Sequence, residues 1–307
     1  MTTRAPDPLA RRVNRRDFLA LVGTTMATAA AGIAAEKAAP LAAALGAMGA
    51  SGIAPTGFVA HGAPLLALDP VKGADLLRWA EHLPRPRSIL VISAHWERQP
   101  ASLGPTLPVP LIYDFYGFPE KFYELTYAAP VSESLAKQVE GLLRGVEPVV
   151  RQPERGLDHG TWVPLRRMFP DASIPVLQLS LPTMEAGRLF RIGKALAPLR
   201  QDGVFILGSG NITHNLRMAD GSANAKTPAW AAEFDAWTRE MLVTANVDKL
   251  LDYKRLAPGV AMALPTHEHF VPLTVALGAA AADARRVKFP VEGFEFGSIT
   301  RRSVQFG

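Results

Sequence analysis

Ser88-Ile89-Leu90-Val91-Ile92-Ser93-Ala94 is a continuous apolar run, too short for a membrane span and with no helical period. A strand formed there must be covered on both faces, which is the habit of parallel sheets sandwiched between helix layers. Its surroundings repeat that logic. Gly57–Ala60, Pro175–Leu181 and Gly203–Leu207 read as further strands, and Gly297–Phe306 alternates enough to be another. Between them, helical spacing recurs over Val71–Leu83, where Leu76, Leu77, Trp79 and Ala80 share a face. Helices are also expected over Val131–Leu143, Thr161–Phe169, Glu185–Leu199, Thr227–Ala245, Val247–Leu256 and His269–Ala281. This order predicts an α/β fold: a single-domain sandwich with a mixed, largely parallel central sheet flanked by helices.

The 307 residues, 48% of them hydrophobic, can bury a full core. The chain has no cysteine, which excludes disulfides, thiolate catalysis, iron–sulfur clusters and cysteine-held zinc. Any metal must then be held by nitrogen and oxygen. The net charge of +5 is concentrated at the start. Residues 1–38 carry six basic and three acidic side chains, leaving 27 basic against 25 acidic, or +2, for the rest. So neutral a body, with no basic stripe interleaved with aromatics, argues against nucleic acid as a partner.

That basic start reads as an address. Asn14-Arg15-Arg16-Asp17-Phe18-Leu19 presents a twin-arginine pair, followed from Leu19 to Ala35 by an Ala-rich, weakly apolar stretch ending in small residues. The basic residues precede the apolar run instead of sharing a helical face with it. About 17 residues, many of them Ala or Gly, also make a poor membrane span. The expectation is a signal peptide over 1–38 cut between Ala30 and Ala39, a flexible lead-in over 39–54, and a catalytic domain over 55–307. The partner at this stage is the twin-arginine export machinery, the destination the periplasm, and the mature chain has no stable membrane span.

Three of the seven histidines stand where buried strands run out. His61 closes Gly57-Phe58-Val59-Ala60-His61, His95 closes the run from Ile89, and His214 follows Val204–Gly210 by four residues. Ligands of open α/β sheets bind at the carboxyl ends of the strands, so three imidazoles delivered there point to a metal site. His159, in Leu157-Asp158-His159-Gly160, and His269, in Thr266-His267-Glu268-His269-Phe270, are further candidates. Neutral imidazole suits iron, zinc, copper and nickel alike. An HExxH motif is absent, which disfavours a zincin-type peptidase. Gly208-Ser209-Gly210 lacks the spacing of a nucleophile elbow and reads as a tight turn bringing His214 toward the metal. The aromatic-rich stretch Tyr113–Tyr127 is either pocket wall or core.

Six segments occur in order: Phe58-Val59-Ala60-His61-Gly62-Ala63-Pro64, Ser93-Ala94-His95-Trp96, Asp114-Phe115-Tyr116-Gly117-Phe118-Pro119, Asp158-His159-Gly160-Thr161-Trp162, Gly208-Ser209-Gly210-Asn211-Ile212-Thr213-His214-Asn215 and Glu268-His269-Phe270. Together they resemble the class III extradiol aromatic ring-opening dioxygenases, in the 4,5-DOPA dioxygenase-like branch, from about Pro55 to Gly307. The resemblance implies that His61, His95 and His269 hold a divalent metal, with His269 standing where protocatechuate 4,5-dioxygenase has a glutamate. It implies that His214 is the active-site base, close enough to be counted as a further zinc ligand. His159 would touch substrate or oxygen. The implied cofactor is Fe(II) for oxygenase chemistry or Zn(II), and the implied partners are a small aromatic diol and O2. A zinc-loaded protein of the same fold, hydrolytic or without oxygenase activity, is the alternative. Asp158 either orients a histidine or caps the helix from Thr161, and Asn211 and Asn215 either hold His214 or satisfy a turn. His82 reads as a surface helix end and His267 as structural.

Overall fold

The protein is described by a computed structural model covering residues 52–307 apart from Ala223. The expected signal peptide and most of the lead-in lie outside the described residues.

Among the described residues ten strands form: β1 (Thr56–Ala60), β2 (Ser88–Glu97), β3 (Ala101–Gly104), β4 (Val149–Arg151), β5 (Val176–Leu181), β6 (Val204–Gly210), β7 (Val287–Val291), β8 (Phe294–Glu295), β9 (Ile299–Thr300) and β10 (Ser303–Phe306). The helices are α1 (Pro70–Glu81), α2 (Glu133–Leu143), α3 (His159–Met168), α4 (Ala186–Leu196), α5 (Ala229–Val243), α6 (Val247–Leu251), α7 (Tyr253–Leu256), α8 (Val260–Ala263) and α9 (Pro272–Ala279). Eight strands make one sheet in the order β4-β3-β5-β2-β6-β1-β10-β7, and β8 pairs with β9. The inner strands β5, β2, β6 and β1 run parallel, while β10 joins β1, β7 joins β10 and β3 joins β5 antiparallel. The sheet is therefore mixed and largely parallel at its centre, as expected.

The apolar run of β2 shows why both faces are covered. Leu90 and Ile92 point into one core with Leu177, Leu179 and Ile206, under α4 and α9. Ile89 and Val91 point into the other with Val176, Phe205 and Leu207, against α1 and α3. Period-two side chains thus feed two cores from one strand. On the first face α4 lies very close to α9. A Cβ on Gly193 would stand 2.1 Å from the Val275 carbonyl, and one on Gly278 would stand 2.2 Å from that of Phe190. On the second face, α1 starts where Asp69 accepts hydrogen bonds from the Val71 and Lys72 amides at 3.0 and 2.9 Å, with Pro70 as its first residue. Such a cap contributes about 1 kcal/mol.

Several boundaries differ from expectation. The helix expected from His269 begins at Pro272, where proline's fixed φ and missing N–H suit a first turn, leaving His269 in the turn before it. The tail divides into β9 and β10 instead of forming one strand. The helix expected over Val247–Leu256 breaks at Asp252. Strands β3, β4 and β7 carry no sequence signal long enough to read. The outermost two, β4 and β7, are only half-buried, and β7 contains Pro290, which an edge tolerates.

Candidate metal centre

The carboxyl ends of three neighbouring strands, β1, β6 and β2, supply one wall of the site. His61 follows β1 directly and its amide donates to the Gly210 carbonyl at 3.1 Å. His95 lies near the end of β2, where the pairing with β5 shifts register between Ile92 and Glu97. The opposite wall comes from connecting segments. The turn before α9 brings His269, whose carbonyl accepts from the Asn211 amide at 2.9 Å. Here Gly210 is required: a Cβ on it would stand 1.9 Å from that carbonyl oxygen. The donor nitrogens of His61, His95 and His269 lie within 4.8 Å of one another.

Each of these three rings has its Nδ1 beside an oxygen, and those oxygens settle where the protons are. Ser209 Oγ lies 2.9 Å from His61 Nδ1 and gives its own hydrogen to the Gly160 carbonyl. A carbonyl only accepts, so the serine oxygen is left as an acceptor and Nδ1 of His61 is the donor. Asp114 Oδ2 lies 3.3 Å from His95 Nδ1, and Glu268 Oε1 lies 2.9 Å from His269 Nδ1. With Nδ1–H on every ring, three bare Nε2 lone pairs face inward. Those of His61 and His95 stand 3.2 Å apart, and Nε2 of His269 is buried with no hydrogen-bond partner. Lone pairs so placed repel unless a cation lies between them, and neutral imidazole held at Nδ1 by an oxygen is the usual arrangement of a metal-binding histidine. The residues therefore fit a nitrogen-bound divalent metal.

Burial supports the same proton arrangement. It holds His61 and His269 well below the ordinary imidazole value, each further depressed by neighbouring imidazoles. Burial, with His159 second, takes His95 down to about 3, against the opposing pull of Asp114.

Around this centre stand the other histidines. His159 opens α3, its ring centroid 4.0 Å from that of His95, and Phe115 meets it edge-on at 5.7 Å. His214 lies flat on His269, centroids 3.4 Å apart at 12°. It groups with Glu268 and His269, not with the His61–His95–His269 set. His267 turns away and packs edge-on against Tyr253 at 5.5 Å. His82 ends α1 on the surface, its Nδ1 2.7 Å from the Arg78 carbonyl.

Other sequence expectations meet different outcomes. Asp158 occupies the N-cap position of α3, yet its side chain makes no capping bond. It instead accepts from Ser93 Oγ at 2.7 Å, Gln178 Nε2 at 2.8 Å and Arg155 Nη2 at 3.2 Å. Ser93 Oγ in turn accepts from the His95 amide at 3.2 Å, so Asp158 acts on His95 through a serine and not directly. Gly208–Gly210 is not a tight turn but the end of extended β6, and its small residues admit the backbone of Pro272 and His269. Asn211 donates to the Thr300 carbonyl at 2.9 Å and Asn215 to the Met262 carbonyl at 2.7 Å, so both amide donors serve the backbone. The aromatic stretch divides: Phe115, Phe122 and Tyr127 are buried, while Tyr116 is 57% exposed. Sequence reasoning assigned no role to Asp114, Ser209 or Glu268. Their only signal was adjacency to a candidate histidine or membership of a short motif; Glu268 pairs with its chain neighbour His269, while Ser209–His61 and Asp114–His159 join distant parts of the chain.

Residues 73–307 match the family described as the catalytic LigB subunit of aromatic ring-opening dioxygenase. Among known proteins, a 4,5-DOPA dioxygenase extradiol of Beta vulgaris is 40% identical over 237 residues, covering 75% of this chain and 88% of that protein. The protein of the same name in Escherichia coli K12 is 35% identical over 259 residues, covering 82% of this chain and 94% of its own. A crystal structure of an uncharacterized Escherichia coli K12 protein superposes with a TM-score of 0.69 at 32% identity, covering 83% of this chain and all of that one.

Proposed function

The chain belongs to the LigB family of aromatic ring-opening dioxygenases and is a metal-dependent extradiol dioxygenase, and from that premise we propose that it opens a catechol-type diol, DOPA-like or simple, with Fe(II) held by His61, His95 and His269. The observation that carries the ligand assignment is the convergence of three bare Nε2 atoms whose Nδ1 partners are all oxygens. The relatives named for 4,5-DOPA support a substrate with vicinal hydroxyls on an aromatic ring.

When bound, the metal would acidify the diol's hydroxyls and hold both diol and O2 beside it. The chain's own residues do the rest. His214, stacked on His269, is placed to take a proton from a hydroxyl lying against the ligand set. His159, tethered at Nδ1 by Asp114 at 2.8 Å, presents Nε2 to the same space as a second polar contact. Phe115, edge-on to His159, gives the flat ring an apolar neighbour and excludes water. The conversion adds both atoms of O2 and breaks the carbon–carbon bond beside the diol, not the one between its hydroxyls.

The proposal includes export. Arg15 and Arg16 ahead of a weakly apolar stretch support the twin-arginine route, which carries folded proteins with their metal aboard. Replacing both arginines with lysine is expected to retain the protein in the cytoplasm, as read by cell fractionation.

The deciding experiment is oxygen uptake by metal-stripped protein reloaded anaerobically with Fe(II) or Zn(II), with catechol, L-DOPA and protocatechuate supplied. Uptake matched to a yellow ring-opened product with iron alone, and lost in His61→Ala and His95→Ala, is the expected result. Tight binding of one Zn(II) with no uptake on any diol under iron would replace the iron proposal with the zinc-loaded alternative.

A further inference from the structure

Asp114 lies in the connection between β3 and β4, on none of the strands that carry a ligand, and its carboxylate reaches two imidazoles at once. Oδ1 accepts from the His159 ring Nδ1 at 2.8 Å and from the His159 backbone amide at 3.0 Å. Oδ2 lies 3.3 Å from Nδ1 of His95. The two rings it grips lie with centroids 4.0 Å apart. A carboxylate accepts and does not donate, so both rings carry a proton on the Nδ1 that faces Asp114.

We infer that Asp114 is a positioning residue that sets His95 and His159 together, holding Nδ1–H of both rings on its own side of the site. The inference rests on the dioxygenase reading of the site and deepens it. The consequence for His159 is specific: with Nδ1 committed to Asp114, Nε2 is the ring nitrogen left for a bound diol. Asp114 thereby joins the ligand wall to the substrate wall through one side chain, and Phe115, the next residue, brings an aromatic edge against the same His159. Nothing else in the cluster spans both walls in this way among the described residues: Ser209 serves His61 and Glu268 serves His269.

The test uses the full-length mature protein with histidines labelled in nitrogen-15, free of metal, alongside Zn(II) affinity measured by competition with a chelator. In the wild type, His159 and His95 are expected to show the Nδ1–H form. Asp114→Ala should move both rings off that form and weaken Zn(II) binding about 10–100-fold, the usual effect of removing such an oxygen partner. Asp114→Asn should keep the His159 tautomer, because its amide oxygen still accepts from both His159 donors, while its NH2 faces His95 and weakens Zn(II) binding. Asn is also the control should the alanine variant fold poorly by circular dichroism. Unchanged ring resonances and Zn(II) affinity within twofold in both variants would overturn the inference. These readouts need no turnover: an iron-loaded wild type inactive on every diol would sink the dioxygenase substrate assignment while leaving the Asp114 result standing.

Discussion

The two walls of the metal centre are built differently. His61 and His95 stand at the ends of parallel strands whose neighbours on both sides are hydrogen-bonded, and whose side chains feed two buried cores. His269, His214 and His159 come from turns and a helix start, and are placed by contacts with the strand ends: the His269 carbonyl on the Asn211 amide, and Asp114 on His159. A sheet edge is rigid because each strand is tied to two others. A turn is only as well placed as the surface it leans on. The ligand geometry therefore depends on β6, which carries no ligand: it separates β1 from β2, supplies Ser209 to His61, and offers Gly210 as the seat for the His269 turn.

Gly210→Ala should have the largest effect on the turn wall. The added methyl meets the His269 carbonyl, so the expected cost is about 1–3 kcal/mol of stability, the range of overpacked cores. Denaturant unfolding reads that loss, and Zn(II) affinity should fall with it because the turn is displaced. A mild outcome on both counts would mean the turn is not seated on β6. Ser209→Ala tests the other wall. It removes the acceptor that fixes the His61 tautomer without adding bulk, and Zn(II) affinity should drop about 10–100-fold with the fold intact.

Acid should affect the metal-free protein through the ligand imidazoles. Their folded pKa values lie below the unfolded value, with His95 at about 3 and His61 and His269 also depressed. A lowered folded value means the unfolded chain binds the extra proton first. The stability these groups allow is therefore present above about pH 6.5 and lost as pH falls below it, at up to about 1.4 kcal/mol per pH unit for each imidazole. Thermal melts of the metal-free protein across pH 7 to pH 5 should show the loss; a stability that stays flat over that range would mean that the folded rings take up protons as readily as the unfolded chain. At the small end, His82→Ala, on the exposed end of α1, should shift stability by no more than about 0.5 kcal/mol and leave metal binding untouched.

Much of the architecture was legible in the chain because its signals are local. Continuous apolar runs marked β2, β5 and β6, and helical spacing marked α1, α2, α4 and α5 within a few residues. The ends that shifted did so for local reasons too, such as Pro272 opening α9. The edge strands β4 and β7 stayed hidden because half-buried pairing leaves no apolar run to read. The five histidines His61, His95, His159, His214 and His269 were legible as a set, since each sits in a short motif at a strand end or helix start, and the structure brings them together.

The chain alone thus carries the sheet, its buried faces, the thiolate-free donor set that zero cysteines impose, and the imidazoles to gather. Where the protons of His61 and His159 sit is a matter of tertiary contacts. Ser209 meets His61 across 148 residues and Asp114 meets His159 across 45. Hydrogen-bond direction is a property of contacts, and these contacts exist only once β6 lies between β1 and β2 and the long connection after β3 folds back over the strand ends.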